Sequence, residues 1–320
     1  MVFSNTAVEE LVFPKSLEKI EECAFRNETW DSGSIKHVSS ALSSVKIPDS
    51  VTYIGWLAFC GRENLKDVKM SKNIEWIDRH ILHDTAWYEE QKEGMVYLTE
   101  DILYGYKGEM SETELYIPST VKHIAGGAFM SQHNLEKVVL SDGVKLSGEI
   151  IFVGCYSLFE VQLPSDLTEI PRGTFSGTAL KNIELPDGVT KIGDGAFGSP
   201  NLEVVVLPSG LKELGNQAFS DCEQLKEVVL PESLESMGSG VFRKCKALTS
   251  VTIPSKVRYI GEEAFLECTA LEEIVFETPS DWLATKGTDD VDIFAEDLSS
   301  PTTAATYLTD KYVYYTWQRE

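Results

Sequence analysis

A period of 22 or 23 residues runs through most of this 320-residue chain, and it limits the fold more than any other property. Prolines recur at Pro164, Pro186, Pro208, Pro231 and Pro254, separated by 22, 22, 23 and 23 residues. A phenylalanine recurs at Phe129, Phe152, Phe175, Phe197, Phe219, Phe242 and Phe265, each 22 or 23 residues after the last. Upstream, Ala24-Phe25 and Ala58-Phe59 fit the same slot, and Ile81-Leu82 fills it between Phe59 and Phe129. Ten coils follow, beginning near residues 14, 48, 71, 118, 141, 164, 186, 208, 231 and 254. They are called coils 1 to 10 below.

Each recurring residue has a physical reason. In Leu-x-x-Val-x-Leu/Ile-Pro, as at Leu225, Val228, Leu230 and Pro231, the apolar residues alternate as in a strand with one buried face. Proline lacks an N–H and ends that strand. Before the phenylalanine stands Ile-Gly-x-x-Ala, as in Ile192-Gly193 before Ala196-Phe197. The glycine is expected to permit a sharp or positive-φ bend. Alanine lets the backbone come close, and phenylalanine fills the coil interior. One coil cannot bury this apolar set alone, so coils must stack. The fold class is an α/β repeat solenoid with a parallel sheet on one face.

Coil 8 states the pattern almost in full, with Leu211, Leu214, Gly215, Ala218, Phe219, Cys222, Leu225, Val228 and Leu230. It resembles the BspA-like, or Treponema pallidum type, leucine-rich repeat over about residues 8–276. The resemblance implies a right-handed leucine-rich-repeat superhelix. It further implies a protein-binding, adhesion-type module of a bacterial cell-surface or secreted protein that binds a host, matrix or neighbouring-cell protein. A structural spacer or a cytoplasmic scaffold of the same fold is the alternative. The family supplies no catalytic residue to carry over.

The solenoid is expected over residues 1–276, with insertions at about 26–40 and 83–112, and residues 277–320 as a C-terminal capping segment. An open solenoid end exposes strand edges and needs such a cover. No comparable aromatic-rich segment precedes coil 1, as expected of a surface protein trimmed upstream. Val8–Phe13 reads as a strand without a full coil before it. Coil 5, with Ser147 in the Ile slot and Leu146 one residue early, is expected to be irregular. So is coil 6, with Pro171 for Gly and Thr174 for Ala.

The formal net charge of −23 disfavours nucleic acid and anionic membranes as partners. It serves solubility, or a docking face for basic partners or divalent cations. No apolar run approaches the ~20 residues that span a bilayer, and no signal peptide is visible. His80-Ile-Leu-His83-Asp84 lacks the spacing of a zinc helix and falls on the Ala-Phe slot of coil 3. Asp289, Asp290, Asp292, Glu296 and Asp297 lack the Gly and terminal Glu of an EF-hand and read as a solvated acidic loop. No phosphate loop, nucleophile elbow or Cys–His signature appears, so neither catalysis nor a cofactor or metal is expected. Cys155, Cys222, Cys245 and Cys268 all stand three residues after the phenylalanine, as a column of small buried residues.

The x residue of Val-x-Leu-Pro must face away from the core. Up the solenoid that position holds Tyr116, Val139, Gln162, Glu184, Val206, Val229, Thr252 and Val275. The adjacent outward column holds Lys137, Glu160, Asn182, Val204, Glu227, Ser250 and Glu273, beside Phe159 and Lys226. An apolar strip bordered by charge suits a protein contact. Valine also suits an exposed strand through its β-branch alone. The candidate surface is Tyr116, Val139, Phe159, Val204, Val206, Val229 and Val275 of a monomer, with its centre near Val204, Val206 and Val229. The aromatic insertion, where Met95 to Tyr104 reads as a hairpin about Thr-Glu-Asp, adds Trp87 and Tyr104. It either packs on its own coil or projects as a contact surface.

Overall fold

A computed structural model describes residues 10–31, 34–37 and 41–319, with the backbone alone at 28–31 and 34–37. The protein is a parallel-sheet solenoid of about ten turns of roughly 23 residues. It forms two compact units, one of residues 1–110, 120–129 and 144–151, the other of 111–119, 130–143 and 152–320. The strand expected over Val8–Phe13 lies partly outside the described residues, and residues 11–13 form no strand.

Each coil contributes to two ladders. The first is the expected one, made by the Val-x-Leu strands. In the first unit Ser44–Lys46 pairs with Asp67–Lys69. In the second, Glu114–Ile117, Lys137–Leu140 and Glu160–Gln162 pair in order, as do Asn182–Glu184 with Val204–Val206 and Ser250–Ile253 with Glu273–Phe276. The second ladder is built from two-residue strands at the Ile slot. Glu169–Ile170, Lys191–Ile192, Glu213–Leu214, Ser236–Met237 and Tyr259–Ile260 pair in parallel within the second unit. Helix is confined, among the described residues, to the insertion at Ala86–Glu89 and to the C-terminal segment.

The interior is a column of aromatic rings. Phe175, Phe197, Phe219, Phe242 and Phe265 stack at centroid separations of 5.3–5.7 Å, and all are buried. Offset stacking at this spacing adds to the apolar burial of each ring.

The glycine after the Ile slot does a different job from the bend expected of it. Gly193, Gly215, Gly238 and Gly261 do not have positive φ. A Cβ there would meet the backbone of the preceding coil at 2.6, 2.6, 2.4 and 2.3 Å. Glycine is needed for close approach between coils. The left-handed conformation falls instead two residues before the Phe slot. Cys23, Leu57, His80, Gly127, Ile150, Gly173, Gly195, Gln217, Gly240 and Glu263 all have φ between 51° and 64°. His80 belongs to this series, which accounts for its place in the chain without a metal.

The C-terminal segment closes the second ladder. Thr316–Arg319 pairs antiparallel with Tyr259–Ile260 and with Trp282–Lys286, which pairs with Asp289–Ile293. Trp317 is fully buried beside Phe276 and Trp282. Of the residues read as an acidic loop, Asp289, Asp290 and Asp292 are exposed on the strand Asp289–Ile293, while Glu296 and Asp297 stand in the short helix Ala295–Leu298. In coil 5, Leu146 pairs opposite Ile124, and the extra residue before Phe152 lets the Ser147 carbonyl accept from Ile77 N–H.

Candidate protein-binding surface

The first ladder of the second unit sets the outward side chains in register. Tyr116 lies opposite Val139 and Val139 opposite Gln162, then Glu184 opposite Val206 and Thr252 opposite Val275. Val204 bridges to Glu227. Alternation along each strand buries Val205, Val228 and Ile274 and turns their neighbours outward. Tyr116 is 62% exposed, Val206 57% and Val229 71%, and Phe159, Val204 and Val275 are also exposed. Val139 is only half-buried, so it contributes a flank rather than a free side chain. Six of the thirteen exposed large apolar residues among those described lie on this face, which makes the stripe more than scattered surface valine.

The ladder is interrupted between Glu160–Gln162 and Asn182–Glu184. In coil 5 Leu158 stands six positions after Phe152, while in coil 6 Leu180 stands five after Phe175, so the strands arrive out of step. Where the spacing returns to six, from Phe219 to Leu225, the ladder thins to the single Val204–Glu227 bridge. It is open again between residues 227–230 and Ser250–Ile253, where the turns are equal and length gives no account. The first interruption leaves a groove of about 530 Å³ lined by Phe159, Gln162, Asn182 and Glu184 among others. Ion pairs between coils flank the face, Lys137 with Glu160 at 2.7 Å and Lys226 with Glu203 at 3.3 Å. All are solvent-exposed, so they tune charge more than stability. Glu184, Glu227 and Glu273 leave the border acidic.

The aromatic insertion is a packing element. Its strands Gly94–Thr99 and Ile102–Lys107 form the expected hairpin, and the second strand adds in parallel to His123–Ile124. Tyr104 is therefore corrected from the candidate surface to the core. It is buried, its hydroxyl accepts from Leu82 N–H at 3.0 Å, and desolvation pushes its ionisation far above the usual tyrosine range. Trp87 lies edge-on to Tyr104 at 5.8 Å and is half-buried against the core of the first unit. The exposed apolar side chains of the hairpin are Met95 and Tyr97.

All six cysteines are free and buried. The column has a role beyond small size. The thiols of Cys222, Cys245 and Cys268 donate to the carbonyls of Phe197, Phe219 and Phe242 in the coil before, at 2.9, 3.3 and 3.0 Å. Burial pushes the thiols of Cys155, Cys222 and Cys268 up to about 12, and Cys245 higher still. Asp78 and His123 are among the perturbed titrating groups of the first unit. Desolvation raises Asp78, which stands in the glycine slot of coil 3, although its carboxylate accepts from Arg79 N–H. Desolvation lowers His123, whose Nδ1 is 2.8 Å from Ser147 Oγ. Among the described residues, no group of three or more His, Cys, Asp or Glu is placed to hold a metal, and no helix is long and apolar enough to cross a membrane.

Sequence reasoning missed one feature of the outward column. In coils 1 and 2 that position holds Lys46 and Lys69, both exposed and directly opposite each other. Reading the column from Tyr116 onward omits them.

A family model described as a BspA type leucine-rich repeat region (6 copies) matches residues 1–37, 36–90, 104–214 and 190–281. Among solved structures, a leucine-rich repeat protein from Bacteroides ovatus is 24% identical with a TM-score of 0.48 over 81% of this chain. The chain spans 63% of that protein's length. The T. pallidum leucine-rich repeat protein TpLRR is 28% identical with a TM-score of 0.41, over 58% of this chain and 80% of the other. No curated protein matches the sequence.

Proposed function

The chain belongs to the BspA-type leucine-rich-repeat family, and from that we propose that it is a protein-binding module, with the first ladder of its second unit as the contact face. One observation carries the reading: Tyr116, Phe159, Val204, Val206, Val229 and Val275 are exposed along the outward side of the interrupted first ladder, bordered by glutamates. Burying such a strip against a partner gains about 25 cal/mol per Å² of apolar surface, with the charged rim setting orientation. The face is suited to binding, since its exposed apolar side chains are bordered by charge. Cell-surface placement and a host, matrix or neighbouring-cell ligand follow the family's character and remain part of the proposal.

The test uses a panel of purified extracellular-matrix proteins immobilised on a sensor surface. The double substitution Val206→Glu with Val229→Glu should keep the circular dichroism spectrum, because both side chains point outward, with a modest fall in melting temperature because the new carboxylate at 206 faces Glu184. It should weaken binding of any captured protein at least tenfold. Undiminished binding by the folded double variant moves the site off this face. Failure of the unsubstituted chain to bind any member of the panel favours a spacer.

A further inference from the structure

The first unit carries a second surface of opposite charge. A groove of about 810 Å³ runs beside its ladder, floored in part by Phe13, Ile47 and Met70. Lys15, Lys46, Lys69 and Lys72 line it, against one carboxylate, Asp49. Four lysines and one aspartate give a local formal charge of +3 in a chain whose total is −23. Asp49 is engaged in the turn, accepting from the backbone N–H of Lys72 and, through its carbonyl, from Asn73 Nδ2.

The lysines are placed at a cost to the fold. Lys46 and Lys69 are directly opposite neighbours in the ladder, and like charges so placed destabilise a sheet. Elsewhere the fold sets opposite charges at such positions, with Lys137 opposite Glu160 and Lys191 opposite Glu213. Among the described residues, none of the four groove lysines has an ion-pair partner, whereas Lys137, Lys191, Lys226, Lys244 and Lys246 each bridge to an acidic residue of a neighbouring coil. Uncompensated cations around an apolar floor are complementary to an anion that carries apolar side chains.

We propose that this groove binds an acidic, extended segment of a partner protein, with an aliphatic or aromatic side chain on the floor between the lysines. The apolar floor selects a peptide over a sulfated glycan, which has carboxylates and sulfates but nothing to place on Phe13, Ile47 and Met70. The site is separate from the contact face of the second unit and stands without it.

The test is fluorescence anisotropy with three labelled twelve-residue peptides. One alternates glutamate with leucine and phenylalanine, one is all glutamate, and one replaces the glutamates of the first with lysine. The first should bind saturably and at least tenfold more tightly than either other. Raising the salt to about 0.5 M should weaken it at least tenfold by screening. Lys46→Glu with Lys69→Glu should do the same while leaving the melting temperature unchanged, and the milder Lys46→Gln with Lys69→Gln should fall between. Val206→Glu with Val229→Glu should leave this binding unchanged, which separates it from the contact face. The proposal is overturned if the all-glutamate peptide or a heparin fragment binds as well as the first peptide, if no peptide binds saturably, or if the lysine substitutions change nothing.

Discussion

Replacing Gly238 with alanine tests what holds one coil against the next. A Cβ at Gly238 would lie 2.4 Å from Asn216 N, 2.5 Å from the carbonyl carbon of Gly215 and 2.7 Å from the Asn216 Cα. Carbon contacts are favourable near 3.5–4.0 Å, so coils 8 and 9 must part by about 1 Å. The atoms in the way are backbone and cannot rotate aside. Parting strains the bonds that join the coils here. Gly238 N–H donates to Leu214 O at 2.8 Å, Ser239 N–H to Asn216 Oδ1 at 2.9 Å, and Gln217 N–H to Ser239 O at 2.7 Å. Weakening two or three such bonds costs about 1 kcal/mol each, and overpacking adds about 1–3 kcal/mol. Alanine returns about 0.4–1 kcal/mol by restricting the unfolded chain. A net loss of about 2–5.5 kcal/mol follows from those figures. Gly195→Ala is the control. Its Cβ would meet nothing within 4 Å, but φ is +58°, so it should cost only the left-handed penalty of about 1–2 kcal/mol. Urea unfolding followed by circular dichroism measures both, and hydrogen exchange shows whether protection is lost first in coils 8 and 9. If Gly238→Ala costs under about 1 kcal/mol, or no more than Gly195→Ala, the contact is not what requires glycine.

Four further outcomes are expected. Cys222, Cys245 and Cys268 should resist a thiol label in the native protein and react at once in denaturant, as mass spectrometry would show. Because folding raises the thiols of Cys222 and Cys268 from the ordinary 9.0 to about 12, their stabilisation is complete below pH 9 and lost as pH rises toward 12, so alkaline titration should lower the urea midpoint across that window. Asp78→Asn should raise the melting temperature wherever the buried carboxylate is charged, and the gain should vanish as the pH falls and acid protonates Asp78, because a carboxyl raised by folding favours the folded state on the acid side. Gln217→Gly should stabilise the fold by about 0.5–1 kcal/mol in urea unfolding, since an exposed side chain with φ of 54° is replaced by the residue that adopts it freely; a loss of stability there would contradict the left-handed assignment.

What could be read in the sequence was what burial makes periodic. The Phe, Leu and Pro columns mark the coil interior and the end of each strand, so coil number and the outward stripe at Val206 and Val229 follow from counting. The second ladder has no such mark. Strands such as Glu213–Leu214 are two residues long, too short for alternation to show. Glycine's need was visible at Gly238 and Gly261 but not its cause, because a backbone clash and a left-handed bend select the same residue. Asp289–Ile293 hid a strand under charge, since the consecutive exposed Asp289 and Asp290 break the alternation that marks a half-buried strand. Tyr104 could not be placed inside or outside, as an insertion follows no column. Lys46 and Lys69 were in plain view in the outward column, and their meaning came only from facing each other across it.

The bonds between coils join like slot to like slot: Cys268 to Phe242 as Cys245 to Phe219, and Gly261 N–H to Met237 O as Gly238 N–H to Leu214 O. At these slots a coil offers one neighbour what it accepts from the other. Duplication or loss of one whole repeat by recombination therefore keeps these bonds, while the first ladder breaks where neighbouring coils differ in Phe-to-Leu spacing, as between coils 5 and 6. Length becomes a heritable variable that changes without passing through an unfolded intermediate form. The lineage can lengthen or shorten its contact face one outward side chain per strand position at a time, while the C-terminal segment, which fits only the last coil, stays in place.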